Sequence, residues 1–187
     1  MQITIKGKNM EVGESLRTYV TEVLEDITAK YFSNPLEAHV VFSQERHLIT
    51  VDISVHVTHN LLLQVSAESS EARPAFDLAS EKMASRLHRN KQRIKNHHKA
   101  THEATAASSF ILESSEEASG EKAEPVVIAE METEIHTLTV SDAVMHLELG
   151  ELPALMFRNS AHGGLNMVYR RADGNIGWVD PAGNKKS

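Results

Sequence analysis

The most concentrated chemistry in this chain is a run of basic side chains that ends at Lys99. Between Lys82 and Lys99 the sequence holds seven lysines and arginines and no carboxylate, although the 187-residue chain carries a formal net charge of −7. Such a run attracts polyanions, so it predicts contact with a phosphate backbone. The competing interpretation is a solvated helix face that binds nothing, which is the usual role of a charge run. The lack of interspersed carboxylates favours the interpretation that the run binds nucleic acid.

The spacing of these cations predicts a helix that presents them as a stripe. At about 100° per residue, spacings of four, three and four place four cations on one narrow arc; these are Lys82, Arg86, Arg89 and Arg93. The neighbouring arc is apolar and should be buried; it holds Phe76, Ala79, Met83, Leu87 and Ile94. Lys91 and Lys95 lie on the far flank of that arc, so we expect cations at both edges of a docked helix.

Charge is spread unevenly along the chain and indicates two domains. Residues 1–99 hold thirteen Lys and Arg against twelve Asp and Glu, residues 100–124 hold one against six, and residues 125–187 hold five against eight. The middle segment is rich in Ala, Ser, Thr and Glu, which is typical of a flexible acidic linker. Its apolar patch, Phe110–Leu112, is a candidate docking motif. We therefore predict domains over 1–99 and 125–187, joined by a disordered linker over 100–124.

The elements of the first domain follow from hydrophobic periodicity. Gln2–Lys6 alternates as a short strand does, and residues 13–32 show helical spacing until Asn34-Pro35 interrupts it. Three alternating runs follow, over 38–42, 49–57 and 61–67, with hairpin-length links. Pro74 then suits the first turn of the basic helix. The order β-α-β-β-β-α predicts an α+β domain with two helices on the one apolar face of a four-stranded sheet.

The second domain reads as β-α-β-β-β. A strand is expected at Val126–Ile128, Thr139 with Asp142 resembles a helix capping box, and Gly150 suits the helix end. Three apolar runs follow, at 155–157, 165–169 and 176–179, separated by turn residues. A unit of fewer than about 60 residues buries little surface, so we expect it to gain stability by associating with a partner.

Composition excludes several classes of function. Cysteine is absent, so no disulfide, thiolate nucleophile or cysteine-based metal site is expected, and a reducing cytoplasmic setting fits. The N-terminus lacks the apolar core of a signal peptide, and no run of about 18 apolar residues exists. There is no Gly-rich phosphate loop and no nucleophile elbow. We predict neither enzymatic activity nor a cofactor, a small-molecule substrate or a membrane partner.

Eleven histidines raise the alternative of a metal site. His98 and His102 are four residues apart and Glu103 follows, so a helix would place the two imidazoles on one face. The spacing alone is a weak signal, and a solvated or RNA-facing pair is the favoured interpretation.

Both halves of the chain resemble the long form of the bacterial ribosome hibernation promoting factor family. The first half does so through ITIKGKNMEVGESLRTYV and ARPAFDLASEKMASRLHRNKQRIK, and the second through VSDAVMHLELGE and FRNSAHGGLNMVYRRADGNIGWVDP. The resemblance implies that the first domain occupies the messenger and transfer RNA channel of the small ribosomal subunit and blocks translation. It implies that the second domain pairs with its copy on another ribosome.

The resemblance also implies roles for individual residues. Lys82, Arg89 and Lys91 stand where the family carries cations in its last helix, and Arg86, Arg93 and Lys95 add charge on the same element. For the pairing surface we select the apolar and aromatic residues of the second domain: Phe157, Val168, Tyr169, Ile176 and Trp178. The alternative is that these five form an intramolecular core. The alternative for the whole protein is an RNA-binding or transcription-linked regulator, such as a sigma-factor modulator, on the same fold.

Overall fold

The computed structural model describes residues 1–32, 37–58, 61–97, 103–113 and 126–184. It has three helices, nine strands and a short 3-10 turn in these residues. They form a four-stranded sheet and a five-stranded sheet, each with its own helices. We call the elements of the first sheet and its helices the N-terminal module, and those of the second the C-terminal module.

The N-terminal module has the predicted element order. It runs β1 (Gln2–Lys8), α1 (Glu14–Ala29), β2 (Glu37–Glu45), β3 (Leu48–Thr58), β4 (Leu61–Ser69) and α2 (Ala72–His97). The strands lie in the order β1-β2-β3-β4. The first pair is parallel and the other two are antiparallel. This element order and four-stranded sheet confirm the fold predicted from the sequence. The physical reason is that buried and less buried residues alternate along β2, β3 and β4, so the sheet buries one face.

Both helices cover that face. On α1, Val20, Leu24 and Thr28 are buried, and several partly buried apolar side chains pack beside them. Helix α2 contributes the whole predicted arc, and Phe76, Met83 and Leu87 are fully buried. The burial of these large side chains stabilises the docked helix by roughly 1.5–3 kcal/mol each. The orientation of α2 is therefore fixed by its apolar arc, and the positions of its cations follow from that.

The C-terminal module contains the predicted β-α-β-β-β unit and one further strand. Its elements are β5 (Ala104–Leu112), β6 (Val127–Leu138), α3 (Val140–Leu149), β7 (Ala154–Asn159), β8 (Leu165–Arg170) and β9 (Ile176–Val179). The predicted cap is present, since the Asp142 backbone N–H donates to Thr139 Oγ1 at 3.1 Å. Gly150 ends the helix as expected, with its N–H donating to the His146 carbonyl.

The prediction of a structureless linker over 100–124 is wrong for residues 104–112. That segment forms β5, which pairs antiparallel with β6 from Ala104 opposite His136 to Leu112 opposite Val127. Strand β6 is correspondingly longer than the expected Val126–Ile128 and supplies the partner. The Phe110–Leu112 patch lies at the far end of this β-ribbon, where all three side chains are exposed.

The two modules are in contact. Helix α3 packs against α2 and against the neighbouring strand β4. Met145 and Leu149 of α3 are fully buried and belong to the same hydrophobic cluster as the core of the N-terminal module. Helix α3 therefore lies between the two sheets and serves both cores. None of the helices in the described residues is both long and apolar enough to span a membrane.

Candidate nucleic-acid interface

Helix α2 places its six predicted contact residues on its solvent side, but in two different states. Lys82, Arg89, Lys91 and Lys95 are exposed, whereas Arg86 and Arg93 are only partly so. The Lys82 ammonium donates a 2.9 Å hydrogen bond to the Ser66 carbonyl, so its aliphatic stem lies across β4. The four exposed cations place positive charge on both flanks of the buried arc, as the spacing predicted.

Arg86 is held by the protein on two sides. Its Nη1 donates to the Gln64 carbonyl at 2.7 Å, and its Nη2 forms an ion pair with the Glu151 carboxylate of the C-terminal module. Only 17% of the Arg86 side chain is exposed. A guanidinium in this state is pre-positioned along α2, but a carboxylate occupies the fork that a phosphate would use.

Arg93 is held in a similar way, about two turns further along α2. Its Nη1 lies 3.2 Å from Glu148 Oε2 and 3.0 Å from Asn90 Oδ1. Asn90 is almost fully buried, and its Nδ2 donates to the Arg86 carbonyl at 3.2 Å. Sequence analysis missed Asn90, because a polar residue in a polar run gives no signal until its neighbours are known.

A further cation at the start of α2 was also missed. Arg73 stacks on the Tyr19 ring, with its guanidinium carbon 4.0 Å from the ring centroid. The Tyr19 hydroxyl donates to Asp77 at 2.8 Å, and its ring meets Phe76 edge-on at 5.9 Å between centroids. This cluster joins α1 to the first turns of α2. Tyr19 is consequently engaged within the protein rather than offered as a platform for base stacking.

In the C-terminal sheet the five predicted pairing residues are divided between two faces. Phe157 and Val168 are fully buried in the core beneath α3, and Ile176 packs against that core. Trp178 lies on the same side at the edge strand, where its Nε1 donates to Asn166 Oδ1 at 2.8 Å. The prediction that Phe157 and Val168 lie at a pairing surface is therefore wrong, because the strand alternation turns them towards α3.

The opposite face of the C-terminal sheet is apolar and faces solvent. Strand register places Met156 opposite Met167, and Met167 opposite Val179, in one row across three strands. Met156, Leu165 and Val179 are exposed by 51%, 39% and 44%. With Tyr169, the remaining predicted pairing residue, they form what we call the outer face: Met156, Leu165, Met167, Tyr169 and Val179. Alternation along β7, β8 and β9 puts apolar residues on both faces of the sheet, so the sequence did not show which face α3 covers.

The arginines of the C-terminal module make internal contacts. Arg158 Nη1 donates to the Gly163 carbonyl at 2.6 Å, and Arg170 donates to the carbonyls of Leu152 and Leu147. Arg171 pairs with Asp173 across the β8–β9 turn, with 3.0 Å between Nη2 and Oδ2. The hydrogen bond from Arg171, followed by that from the Asn175 backbone, lowers the pKa of the Asp173 carboxyl.

His98 and His102, the candidate metal-binding pair, lie outside the described residues. Within the described part of the chain, no group of three or more His, Cys, Asp or Glu side chains could hold a metal ion.

Comparison with known proteins decides the family. Residues 3–95 match the model of the sigma 54 modulation protein / S30EA ribosomal protein family, and residues 122–177 match its C-terminal counterpart. A ribosome hibernation promotion factor of Rhizobium meliloti (strain 1021) is 35% identical over 190 residues, which cover 99% of this chain and 100% of that protein. The chain belongs to the ribosome hibernation promotion factor family. Its members are ribosome-binding proteins rather than enzymes.

Two other relatives in the hibernation factor family differ in extent. The ribosome hibernation promotion factor of Bradyrhizobium diazoefficiens is 36% identical over 196 residues, with 99% of this chain and 97% of that protein covered. The ribosome hibernation promoting factor of Escherichia coli (strain K12) is 32% identical over 97 residues, which cover 52% of this chain and 100% of that protein. The chain is thus similar over its full length to long hibernation factors and over about half of it to a short one.

Proposed function

We propose that this hibernation factor binds the RNA of the small ribosomal subunit through α2, in the channel that messenger and transfer RNA otherwise occupy. The observation that carries the proposal is the exposure of Lys82, Arg89, Lys91 and Lys95 on a helix whose opposite side is locked into the core. A rigid helix holds its cations at fixed spacing, so it fits one fixed arrangement of phosphates better than a flexible tail does.

The aromatic residues of the N-terminal module support a phosphate-directed mode of binding. Phe32, Phe42 and Phe76 are buried, and Tyr19 is tied to Asp77 and Arg73. Single-strand binders instead offer aromatic rings on which successive bases stack. Recognition of folded RNA by shape and charge agrees with a protein that occupies a channel without reading a sequence.

We further propose that the module of residues 1–99 is responsible for ribosome binding and that the C-terminal module joins two ribosomes by pairing with a second copy of itself. Support for the first part comes from the short Escherichia coli relative, which is matched over its whole length by about half of this chain and is also named a hibernation factor. Support for the second part comes from the outer face, because large apolar side chains exposed together on so small a sheet are typical of a surface that a partner covers. Acting on ribosomes, the protein would work in the cytoplasm.

Sucrose-gradient sedimentation tests the proposal. Purified protein added to ribosomes should migrate with the small subunit and should produce a peak of paired ribosomes, and both effects should weaken as salt concentration rises. Protein that stays at the top of the gradient at low ionic strength would contradict the proposal. Binding to RNA polymerase with no preference for ribosomes would favour the transcription-linked alternative.

A further inference from the structure

Helix α3 has two buried faces that serve different modules. Ala143 and Leu147 point into the C-terminal core with Phe157 and Val168. Met145 and Leu149 are just as deeply buried, but they belong to the hydrophobic cluster of the N-terminal module, against α2 and β4. The C-terminal module thus uses an apolar contact to lie directly on the helix that carries the candidate RNA-binding cations.

Two ion pairs border this apolar contact. Glu148, on α3, pairs with Arg93, and Glu151, immediately after α3, pairs with Arg86. Glu151 has a φ of 53°, a left-handed conformation that non-glycine residues rarely adopt. The chain therefore accepts an unfavourable backbone angle at the residue whose carboxylate reaches Arg86.

The cleft between the modules shows that the surface of α2 covered by the C-terminal module overlaps the candidate RNA-binding surface. Arg86 and Arg89 line it from α2, while Glu148, Glu151 and Arg170 line it from the C-terminal module. Arg86 and Arg93 both belong to the predicted cationic stripe. Carboxylates of the same chain thus occupy positions at which α2 would otherwise meet phosphate oxygens.

We propose that the C-terminal module is an intramolecular competitor of RNA, and that its docking on α2 masks part of the ribosome-binding surface. The inference rests on the proposed RNA role of α2. In the docked state Arg86 and Arg93 are neutralised and α3 blocks the approach to one edge of the helix. RNA phosphates compete with Glu148 and Glu151 for the same guanidinium groups, so small-subunit binding and docking oppose each other. The apparent affinity is then the intrinsic affinity reduced by the fraction of protein that is undocked.

The first test separates docking from net charge. Glu148→Gln combined with Glu151→Gln removes both ion pairs and should raise the affinity for isolated small subunits about three- to tenfold, the range expected for two partly exposed pairs. Glu130→Gln combined with Glu132→Gln is the matched control, since it removes the same charge from the same module on the exposed strand β6. The control should leave the affinity within about twofold. An equal gain in both variants would overturn the proposal.

A second variant addresses the apolar part of the contact. Leu149→Asn places an amide where the side chain is fully buried against the N-terminal module, and Leu149 is not part of the C-terminal core cluster. It should weaken docking and raise small-subunit affinity in the same direction as the glutamate variants. Unchanged affinity in a variant that is folded and undocked would overturn the masking role.

Docking itself is measured by fluorescence energy transfer in the full-length chain. Because the chain has no cysteine, Glu25→Cys on α1 and Ala161→Cys in the β7–β8 turn provide two exposed labelling sites. High transfer in the parent chain should fall with Glu148→Gln and Glu151→Gln, with Leu149→Asn, and on addition of small subunits. Low transfer in the free parent chain would overturn the docked arrangement. High transfer with no ribosome binding in any variant would overturn the proposed function, and masking with it, while leaving the docked arrangement intact.

Discussion

Trp178, on the edge strand β9 of the C-terminal sheet, donates its indole N–H at 2.8 Å to the side chain of Asn166 on the neighbouring strand β8. Asn166 is almost fully buried, and its Oδ1 also accepts from Asn159 at 3.0 Å while its Nδ2 donates to Asp180 at 2.9 Å. The aromatic residue that most resembles an interface anchor is thus part of an internal network. We therefore place self-association on the outer face.

Replacing Met156 by Glu should abolish ribosome pairing while leaving small-subunit binding unchanged. Met156 is 51% exposed on the outer face, and a carboxylate trapped unpaired in an interface costs about 3–5 kcal/mol. Met131→Glu is the matched control, because Met131 is 50% exposed on β6 of the same module. Sedimentation of ribosomes with each variant measures the effect. Equal numbers of paired ribosomes with both variants would exclude the outer face as the pairing surface.

Neutralising the exposed cations of α2 should weaken ribosome binding and flatten its salt dependence. The triple replacement Arg89→Gln, Lys91→Gln and Lys95→Gln should lower the binding free energy by about 1.5 kcal/mol or more for each charged contact that is lost. The slope of log affinity against log salt should become shallower by about 2–3. Filter binding to small subunits across a salt series gives both quantities.

The control for that experiment lies in the same module. Lys8, Lys30 and Arg46 are exposed and far from the cationic stripe in sequence, so their replacement by Gln removes an equal charge. A comparable loss of affinity in the control would mean that net charge, rather than α2, governs binding.

Ending the chain after residue 99 should separate the two activities. The N-terminal sheet and both of its helices remain, so the fragment should bind small subunits and block translation without pairing ribosomes. A cut after Glu124, at the end of the predicted linker, is the less suitable choice because it leaves β5 without the strand β6 to which it is hydrogen-bonded. Analytical ultracentrifugation of ribosomes with each fragment measures pairing, and paired ribosomes with the shorter fragment would refute this division of roles.

Gly177→Ala should destabilise the C-terminal module by about 1–3 kcal/mol. Tyr169 lies opposite Gly177 in the β8–β9 pair, and a Cβ on Gly177 would overlap the Tyr169 ring. The ring must then leave its position on the outer face, so pairing should weaken as well. Thermal unfolding measures the loss. Gly183→Ala is the control, since an added Cβ there meets no atom within 4 Å.

The Arg171–Asp173 pair predicts a pH dependence of the β8–β9 turn. Because Arg171 and the Asn175 N–H lower the pKa of Asp173 below its ordinary 3.8, the carboxylate stabilises the folded turn at pH values above 3.8. That contribution should disappear as the pH falls through the lower, folded-state value. Carboxyl NMR titration should place Asp173 below 3.8 in the parent chain. A titration at or above 3.8 would show that the ion pair does not form in solution.

Two features of the fold could be predicted from local sequence patterns. The alternation of β2, β3 and β4 and the 3.6-residue period of α2 fixed which side chains are buried, and Phe76, Ala79, Met83, Leu87 and Ile94 are all buried as predicted. Once those residues are buried, the helix geometry places Arg89, Lys91 and Lys95 in solvent. The candidate RNA-binding surface was predictable because a single helix carries both its apolar arc and its cations.

Strand β5 was not predictable by the same means. Residues 104–109 read ATAASS, which has neither alternation nor strong β preference. Their strand conformation comes from hydrogen bonding to β6, whose paired residues lie more than 14 positions further along the chain. A composition typical of a linker therefore adopted regular structure because a partner strand was available.

The sequence by itself determined the element order, the apolar arc of α2 and the concentration of positive charge on that helix. Each of these depends on neighbours within one or two helical turns or along one strand. Tertiary structure alone decided which face of the C-terminal sheet is open to solvent and that Glu148 and Glu151 meet Arg93 and Arg86. These glutamates and arginines are 55 and 65 residues apart in the chain. Such pairs form only when α3 packs between two sheets, and no local period encodes that packing.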